Sequence, residues 1–255
     1  MQNDQDAARE MGPGPGDDRF YRAWAAGRGL SEFRVAVGES DLQIFADRDL
    51  SVEAEAAVRR TRRDIEMYAA ANDEFIRTWE PLEARPGAPD PVRRMCAAAA
   101  TYGVGPMAAV AGTVSELVGR ALLQHSAQVI VENGGDIFYR TTEPPVFGLF
   151  AGQNSPFTGR LRFRPAGLTE AGVCTSSGTV GHSTSFGRAD AVVAVARDTA
   201  LADAAATAIG NSIRSEGDIQ RAVDIEKDRG IIEGLLVACG KALGAWGAIE
   251  VDEGA

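Results

Sequence analysis

Lysine is almost absent from this sequence, because Lys227 and Lys241 are the only two in 255 residues. Acidic residues outnumber basic ones by 36 to 26, which gives a formal net charge of −10. Proteins that bind nucleic acid usually carry a basic surface field, so this balance argues against a nucleic-acid partner. A phosphate-bearing ligand would have to be held by backbone N–H groups and a metal ion rather than by a general positive field.

Cysteine and histidine are also scarce. Cys96, Cys174 and Cys239 lie far apart, form no CxxC pair and leave an odd count, which favours neither a disulfide scaffold nor a structural zinc site. The two histidines, His125 and His182, leave few candidates for metal binding or acid–base chemistry.

Long apolar runs are missing as well, since no stretch reaches the roughly 18 apolar residues of a membrane span. The opening residues 1–18 are polar, acidic and rich in Gly and Pro, and they lack the basic and apolar regions of a secretory signal. We therefore expect a cytoplasmic protein without membrane association, with a disordered leader over residues 1–18 and one domain over residues 19–255.

Hydrophobic periodicity predicts helices and hairpin-connected strands mixed along the chain, which favours α+β layers over a doubly wound sheet. Ser51 and Thr199 are the expected N-caps of two of the helices. The helices are expected at 51–72, 92–102, 107–124, 199–212 and 219–227. The strands are expected at 33–37, 41–45, 128–132, 136–140, 146–150, 161–164 and 191–196, followed by a closing hairpin of 230–239 with 246–251.

A glycine-rich turn with Gly103 and Gly105 precedes the predicted helix at 107–124. Such a turn exposes free backbone N–H groups at the positive end of the helix dipole, which is a suitable seat for phosphate. Close packing of helices explains the same glycines equally well.

A second candidate segment joins two predicted strands through Asn133, Gly134, Gly135 and Asp136. Asn-Gly is the strongest short signal for a type I′ hairpin turn, which needs no ligand. The two glycines would nevertheless let a ligand approach the backbone, close to the polar side chains on either side.

The third segment, residues 172–187, contains seven hydroxyl residues and four glycines together with Cys174 and His182. We interpret it as a binding loop rather than a plain connection. Cys174 is either a nucleophile or persulfide carrier or, as for most free cysteines, a small buried apolar residue. No G-x-S-x-G elbow precedes Ser176 or Ser177, which argues against a Ser-His-Asp hydrolase.

Asp203 and Thr207 lie four residues apart in an otherwise apolar predicted helix, so they share one helix face. A carboxylate and a hydroxyl are hard-oxygen ligands that Mg²⁺ accepts, with phosphates and water completing its shell. The alternative is that Thr207 bonds back to its own helix while Asp203 sits in the first turn, where the helix dipole favours it.

Taken in order, the motifs GVGPMAAVAG, VENGGDI, GVCTSSGTVGHS and ADAAATAI resemble the ApbE family of FAD:protein FMN transferases, and more closely a cytoplasmic branch of that superfamily. The resemblance covers residues 20–251. It implies a single α+β domain of ApbE-like, T-fold-like layered sheets with packed helices.

The resemblance also implies roles for individual residues. Asp203 and Thr207 match the family's Mg²⁺ ligands, and His182 is similar to the histidine of its His-x-x-Asp-Pro element, although no Asp-Pro follows here. Gly112 and Glu116 match an Ala-Lys-Gly motif and a following acid, but Ala111 replaces the lysine. The implied cofactor-binding residues are Gly103, Gly105, Gly112, Glu116, Asn133, Gly134, Gly135, Thr175, Ser176, Ser177 and Gly178.

The resemblance implies binding of FAD or a related nucleotide with Mg²⁺ and an FMN-transferase type of reaction, in which His182 or Asp136 would activate an acceptor threonine. The alternative is a non-catalytic or sulfur-carrier component of sulfur and homocysteine assimilation that uses Cys174. A third hypothesis is a structural homologue with a vestigial pocket. The expected partners are a small-molecule nucleotide and an acceptor or sulfur-pathway protein. The alanine-rich helices suggest either buried packing or a homodimer.

Overall fold

The structure is a computed structural model that describes residues 29–178 and 187–253. Within these residues, one large antiparallel sheet and one small antiparallel sheet hold all the strands. The strands are β1 (Ser31–Val37), β2 (Ser40–Ala46), β3 (Val129–Asn133), β4 (Asp136–Arg140), β5 (Phe147–Gly148), β6 (Leu161–Pro165), β7 (Glu170–Ser176), β8 (Ala191–Ala196), β9 (Gly234–Cys239), β10 (Ala242–Gly247) and β11 (Ile249–Glu253).

The large sheet has eight strands in the order β1-β2-β3-β4-β7-β8-β9-β10, and the small sheet has the order β11-β6-β5. Strands β4, β7 and β8 therefore lie in the middle of the large sheet. Its helices pack against one face. They are α1 (Ser51–Ala71), α2 (Asp73–Arg77), α3 (Asp90–Tyr102), α4 (Val110–Leu122), α5 (Thr199–Ser212) and α6 (Ile219–Arg229), and a short 3-10 helix (Pro106–Ala109) leads into α4.

Alternation along the strands divides the core into two layers. Val131, Cys174 and Ala194 belong to the cluster that packs under the helices. Ile137 and Val193 belong to the cluster between the large and the small sheet. The predicted α+β class is thus confirmed.

Both predicted N-caps are wrong by one position, because the N-caps are Leu50 and Asp198. Ser51 is the first residue of α1, and its N–H is accepted at 2.8 Å by Asp49 Oδ1, which lies before the helix. Asp198 caps α5 by accepting the Leu201 N–H at 2.9 Å, so Thr199 lies inside the helix. Asp198 thus accepts a backbone N–H that Thr199 was expected to satisfy, whereas α1 begins after Leu50 without a side-chain cap.

Two strand predictions also need correction. Residues 170–176 form strand β7 in the middle of the large sheet, where a loop was expected. The closing hairpin joins β9 to β10, and β11 leaves to pair with β6 of the small sheet. The predicted leader over residues 1–18 lies outside the described residues.

In the described ranges, no single helix is long and apolar enough to cross a membrane. Two segments, Asp90–Tyr102 and Pro106–Leu122, reach the required length and composition only when taken together, and they meet at an angle of 105°.

Candidate ligand and metal site

The β3–β4 connection is a two-residue turn in which Asn133 and Asp136 face each other as the last pair of the ladder. Its central residues are Gly134 and Gly135, with φ angles of 68° and 114°, so the turn needs two residues that tolerate positive φ. The central pair is therefore Gly-Gly rather than the expected Asn-Gly. A Cβ on Gly134 would meet nothing within 4 Å, which leaves room beside the turn for a ligand.

Asn133 links this turn to the start of α4, because its Nδ2 donates to the Ala111 carbonyl at 3.2 Å. The side chain thus holds the turn against the helix. Its predicted role in cofactor binding stays a prediction, since this hydrogen bond uses only part of the amide.

Asp136 lies directly across from Cys174 in the β4–β7 ladder, on the face covered by the helices. Its Oδ1 is buried and has no hydrogen-bond partner among the described residues. Burial raises the pKa of Asp136 to about 7, although the neighbouring Cys174 thiol and a hydrogen bond from the Thr175 N–H act in the opposite direction. The nearby carboxylate of Glu132 raises this pKa further.

Asp203 reaches the same place from the second turn of α5. Its Oδ2 accepts the Gly112 N–H of α4 at 2.8 Å. Burial raises the pKa of Asp203 well above its usual range, the like charge of Asp136 raises it further, and the backbone N–H groups of Gly112 and Ala111 oppose both effects.

We call Asp136, Cys174 and Asp203 the acid corner. Two neighbouring buried carboxyl groups repel each other when both are ionised, unless a positive charge compensates. The acid corner can therefore hold a proton or a cation, and the Asp136 oxygen that has no partner is available to either.

Thr207 lies one turn beyond Asp203 on α5, on the same face of the helix. In the described part of the chain it donates no bond back to its own helix, in contrast to Thr113 on α4, which donates to the Ala109 carbonyl at 2.6 Å. Asp203 does not lie in the first turn of α5. The alternative explanation, in which Thr207 bonds back to its own helix and Asp203 interacts with the helix dipole in the first turn, is therefore wrong.

The N-terminus of α4 was a candidate seat for phosphate. Its Gly112 N–H already bonds to Asp203, so a side-chain carboxylate of this chain takes that place. Gly103 ends α3 in the left-handed region with φ 69°, and a Cβ on Gly105 would come within 2.0 Å of the Thr78 carbonyl oxygen. Helix termination and close packing thus explain both glycines, and their contact with a cofactor stays a prediction.

Glu116 is buried in α4, and its carboxylate has partners within the protein. Oε2 accepts the Thr199 N–H at the start of α5 at 2.6 Å. Oε1 accepts from Arg120 at 2.7 Å and from Arg94 at 3.5 Å. These contacts favour a structural role over the expected contact with a cofactor.

The first part of the hydroxyl-rich segment, residues 172–176, belongs to strand β7. Thr175 lies opposite Val193 and points towards the small sheet, while Ser176 shares the helix-covered face with Asp136. Gly178 closes the strand end by donating its N–H to the Ala189 carbonyl at 2.9 Å. Ser177 belongs to the described residues, and His182 lies outside them.

Cys174 is fully buried, and its thiol donates to the Thr199 carbonyl at 3.4 Å. Burial and the neighbouring carboxyl groups of Asp136 and Asp203 raise the pKa of this thiol well above its usual range. A nucleophile or persulfide carrier requires the opposite shift and access to solvent, so the geometry favours the packed core thiol.

No group of three or more His, Cys, Asp or Glu side chains within residues 29–178 and 187–253 is arranged to hold a metal ion. A cation at the acid corner would need the Thr207 hydroxyl, phosphate oxygens and water in addition to the carboxylates, which is a shell that Mg²⁺ accepts. Sequence reasoning missed Ala111 as a backbone partner of Asp203, and also Arg94 and Arg120 as partners of Glu116. Only the i, i+4 spacing of Glu116 and Arg120 could have signalled such a contact.

Comparison with known sequences identifies a family. The family model described as AbpE bacteria matches residues 22–243. The chain is 42% identical over 214 residues to a UPF0280 protein of Methanosarcina barkeri, covering 83% of this chain and 84% of that protein. It is 41% identical over 224 residues to a UPF0280 protein of Methanopyrus kandleri, with coverage of 86% and 91%.

Comparison with solved structures identifies the fold. The chain is similar to the Pseudomonas stutzeri flavinyl transferase ApbE in its apo form, with a TM-score of 0.57, 14% identity and coverage of 86% of this chain and 94% of that one. It is similar to the ApbE protein of Thermotoga maritima, with a TM-score of 0.57, 11% identity and coverage of 88% and 97%. At such low identity the likeness establishes the fold alone, which is ApbE-like.

Proposed function

The chain belongs to the UPF0280 family and contains the AbpE bacteria domain. From its ApbE-like fold and the acid corner, we propose that it binds FAD or a related nucleotide diphosphate together with Mg²⁺. The buried Asp136 oxygen without a hydrogen-bond partner, close to the Asp203 carboxyl, carries the proposal. A divalent cation would relieve the repulsion between the two carboxylates and satisfy that oxygen.

Three side chains of this protein fit the cation. Asp203 and Asp136 would supply carboxylate oxygens, and Thr207 would supply a hydroxyl from the next turn of α5. Mg²⁺ is usually held by one or two carboxylates together with substrate phosphates and water, so a small set of protein donors suits it. Asp136 is thus proposed as a ligand rather than as the base that the family resemblance implied.

The cation, when bound, would neutralise charge on the ligand's pyrophosphate. Hydrogen bonds from neighbouring residues hold the acid corner and the glycine turn in position. The Gly112 N–H holds Asp203 in place, and Asn133 ties the glycine turn to the same helix. The open space beside Gly134 gives the ligand access to the turn, where backbone N–H groups can contact the phosphates in a protein whose net charge is −10.

An FMN-transferase type of reaction belongs to this proposal because the fold is shared with the flavinyl transferase ApbE of Pseudomonas stutzeri. The base for an acceptor hydroxyl would be His182, which lies outside the described residues. The described residues supply the binding of cation and nucleotide, so binding is the part of the proposal to test first. No observation favours the sulfur-carrier alternative, because the Cys174 thiol is buried.

Calorimetric titration of the protein with FAD, with and without Mg²⁺, tests the proposal. Asp203→Asn keeps an oxygen that can accept the Gly112 N–H but removes the charge, so we expect Mg²⁺-dependent affinity to fall at least tenfold. FMN, ADP and ATP, titrated in parallel, identify which part of the ligand is recognised.

Asp47→Asn is the matched control. Asp47 also accepts a backbone N–H, from Ala127 at 2.6 Å, but it lies near the start of β3, at the opposite strand end from the glycine turn. This variant should bind as the wild type does. Binding of FAD that does not depend on Mg²⁺, or no binding of any of these nucleotides, would contradict the proposal.

A further inference from the structure

We propose that Glu116 is a positioning residue that fixes Asp203 at the cation site through the first turn of α5. The inference rests on the proposed function, since it concerns how the same site is held in shape. The observation behind it is a pair of reciprocal contacts between helices α4 and α5.

Each of these two helices caps the other with a buried carboxylate. Glu116 of α4 accepts the Thr199 N–H of α5 at 2.6 Å, and Asp203 of α5 accepts the Gly112 N–H of α4 at 2.8 Å. On each helix, the carboxylate lies four residues after the N–H group that the other helix binds: Glu116 follows Gly112, and Asp203 follows Thr199. The two contacts are therefore reciprocal. A carboxylate at a helix N-terminus is favoured by the free N–H groups and by the helix dipole.

The packing between the two contacts leaves no room for adjustment. A Cβ on Gly112 would come within 2.5 Å of the Thr199 carbonyl oxygen and 2.8 Å of Asp203 Cβ. On the sheet side, a Cβ on Gly172 would come within 2.5 Å of Thr199 Cα. Thr199 is therefore enclosed by α4 and β7, and its backbone is tied at N by Glu116 and at O by the Cys174 thiol.

Two arginines also pair with Glu116 in this buried position. Arg120 lies at 2.7 Å and Arg94 at 3.5 Å from Oε1, which leaves Oε2 for Thr199. A negatively charged acceptor makes a stronger hydrogen bond to the helix N-terminus than a neutral one. Glu116 thus fixes the position of the first turn of α5. Asp203 follows one turn later, so Glu116 also fixes the position of this carboxylate without touching the ligand.

Removing the hydrogen bond between Glu116 and Thr199 should affect the cation site in the same way as removing a residue that orients a metal ligand. Such substitutions typically lower metal affinity by roughly tenfold to a hundredfold. We expect Glu116→Ala to weaken binding of Mn²⁺, used as a paramagnetic probe without nucleotide, by about tenfold or more. Glu116→Gln retains an oxygen that can accept the Thr199 N–H, so it should recover most of the affinity.

The control for a general loss of stability is Glu226→Ala. Glu226 is an equally buried acid, bound by Tyr102 at 2.9 Å and Arg229 at 3.0 Å, but it lies on α6. This variant should lower the thermal midpoint to a similar extent as Glu116→Ala while leaving the Mn²⁺ affinity unchanged.

Electron paramagnetic resonance of free Mn²⁺ measures these affinities, and a thermal scan of each variant measures stability. If Glu116→Ala does not fold, Glu116→Asp shortens the side chain and should still weaken Mn²⁺ binding several-fold. Wild-type affinity in the folded Ala or Asp variant would overturn the positioning role while leaving the proposed function intact. Absence of Mn²⁺ binding to the wild-type protein would instead overturn the proposed function itself.

Discussion

Asp136→Asn should stabilise the protein in the absence of divalent cations, although it removes a proposed ligand. Folding buries the Asp136 carboxyl and raises its pKa from the ordinary 3.8 to about 7. Each pKa unit corresponds to about 1.4 kcal/mol, so ionised Asp136 costs up to about 4 kcal/mol of folding free energy. Asparagine has a similar shape, carries no charge and avoids this cost.

The sign of the pH dependence follows from the raised pKa. Below pH 3.8 the carboxyl is protonated in both the folded and the unfolded chain, and the two proteins should differ little. Between pH 3.8 and about 7 the unfolded chain loses this proton while the folded chain retains it, so wild-type stability falls as the pH rises. Above pH 7 the folded protein carries the whole cost, and the advantage of Asp136→Asn should be greatest and constant.

Urea denaturation of both proteins in EDTA, at intervals from pH 4 to 8, measures this difference. Asp47→Asn serves as a control of opposite sign, because the Ala127 N–H lowers the pKa of Asp47 and its charged form stabilises the fold. That variant should be less stable than the wild type at pH 8. An advantage of Asp136→Asn that does not change with pH, or a loss of stability at pH 8, would refute the reasoning.

Two further predictions concern the packing of the site. Gly112→Ala should lower the free energy of unfolding, measured in urea, by about 1–3 kcal/mol, because its methyl group would lie 2.5 Å from the Thr199 carbonyl oxygen. It should also weaken Mn²⁺ binding. Unchanged stability and affinity would show that the α4–α5 contact is not tight. Cys174→Ala should retain Mg²⁺-dependent nucleotide binding. In the wild type, mass spectrometry should show that Cys174 resists alkylation, since the thiol is fully buried. Rapid alkylation of Cys174 in the folded protein would instead support the sulfur-carrier hypothesis.

The helices and most strands could be predicted because their apolar patterns are local. Helix α5 is such a case, since the alanine-rich run that contains Asp203 and Thr207 has a high helix propensity. Strand β7 could not be predicted, because Gly172 and Ser176, with the glycines and hydroxyl residues that follow them, give the segment the composition of a loop. Pairing on both sides and the close approach of Thr199 to Gly172 make it a strand, and these are tertiary effects.

Within the candidate site, the sequence indicated which residue types carry the chemistry but not which of them meet. Asp136 and Asp203 lie far apart along the chain, and only the fold brings their carboxyl groups together. Glu116 matched a family position, yet its carboxylate binds Thr199 and two arginines. Arg120 could be predicted from its i, i+4 spacing, whereas the contacts with Arg94 and Thr199 depend on helix packing, which no local pattern records.

The central claim is that the acid corner holds a divalent cation that a nucleotide diphosphate shares. A crystal of the protein grown with Mn²⁺ and FAD tests it most directly, because anomalous scattering locates Mn²⁺ independently of the protein phases. We predict an anomalous peak bound by Asp203 and Asp136, with the pyrophosphate of FAD on its open side towards the turn at Gly134 and Gly135. Ordered FAD without a peak at these carboxylates, or a peak elsewhere on the chain, would contradict the account.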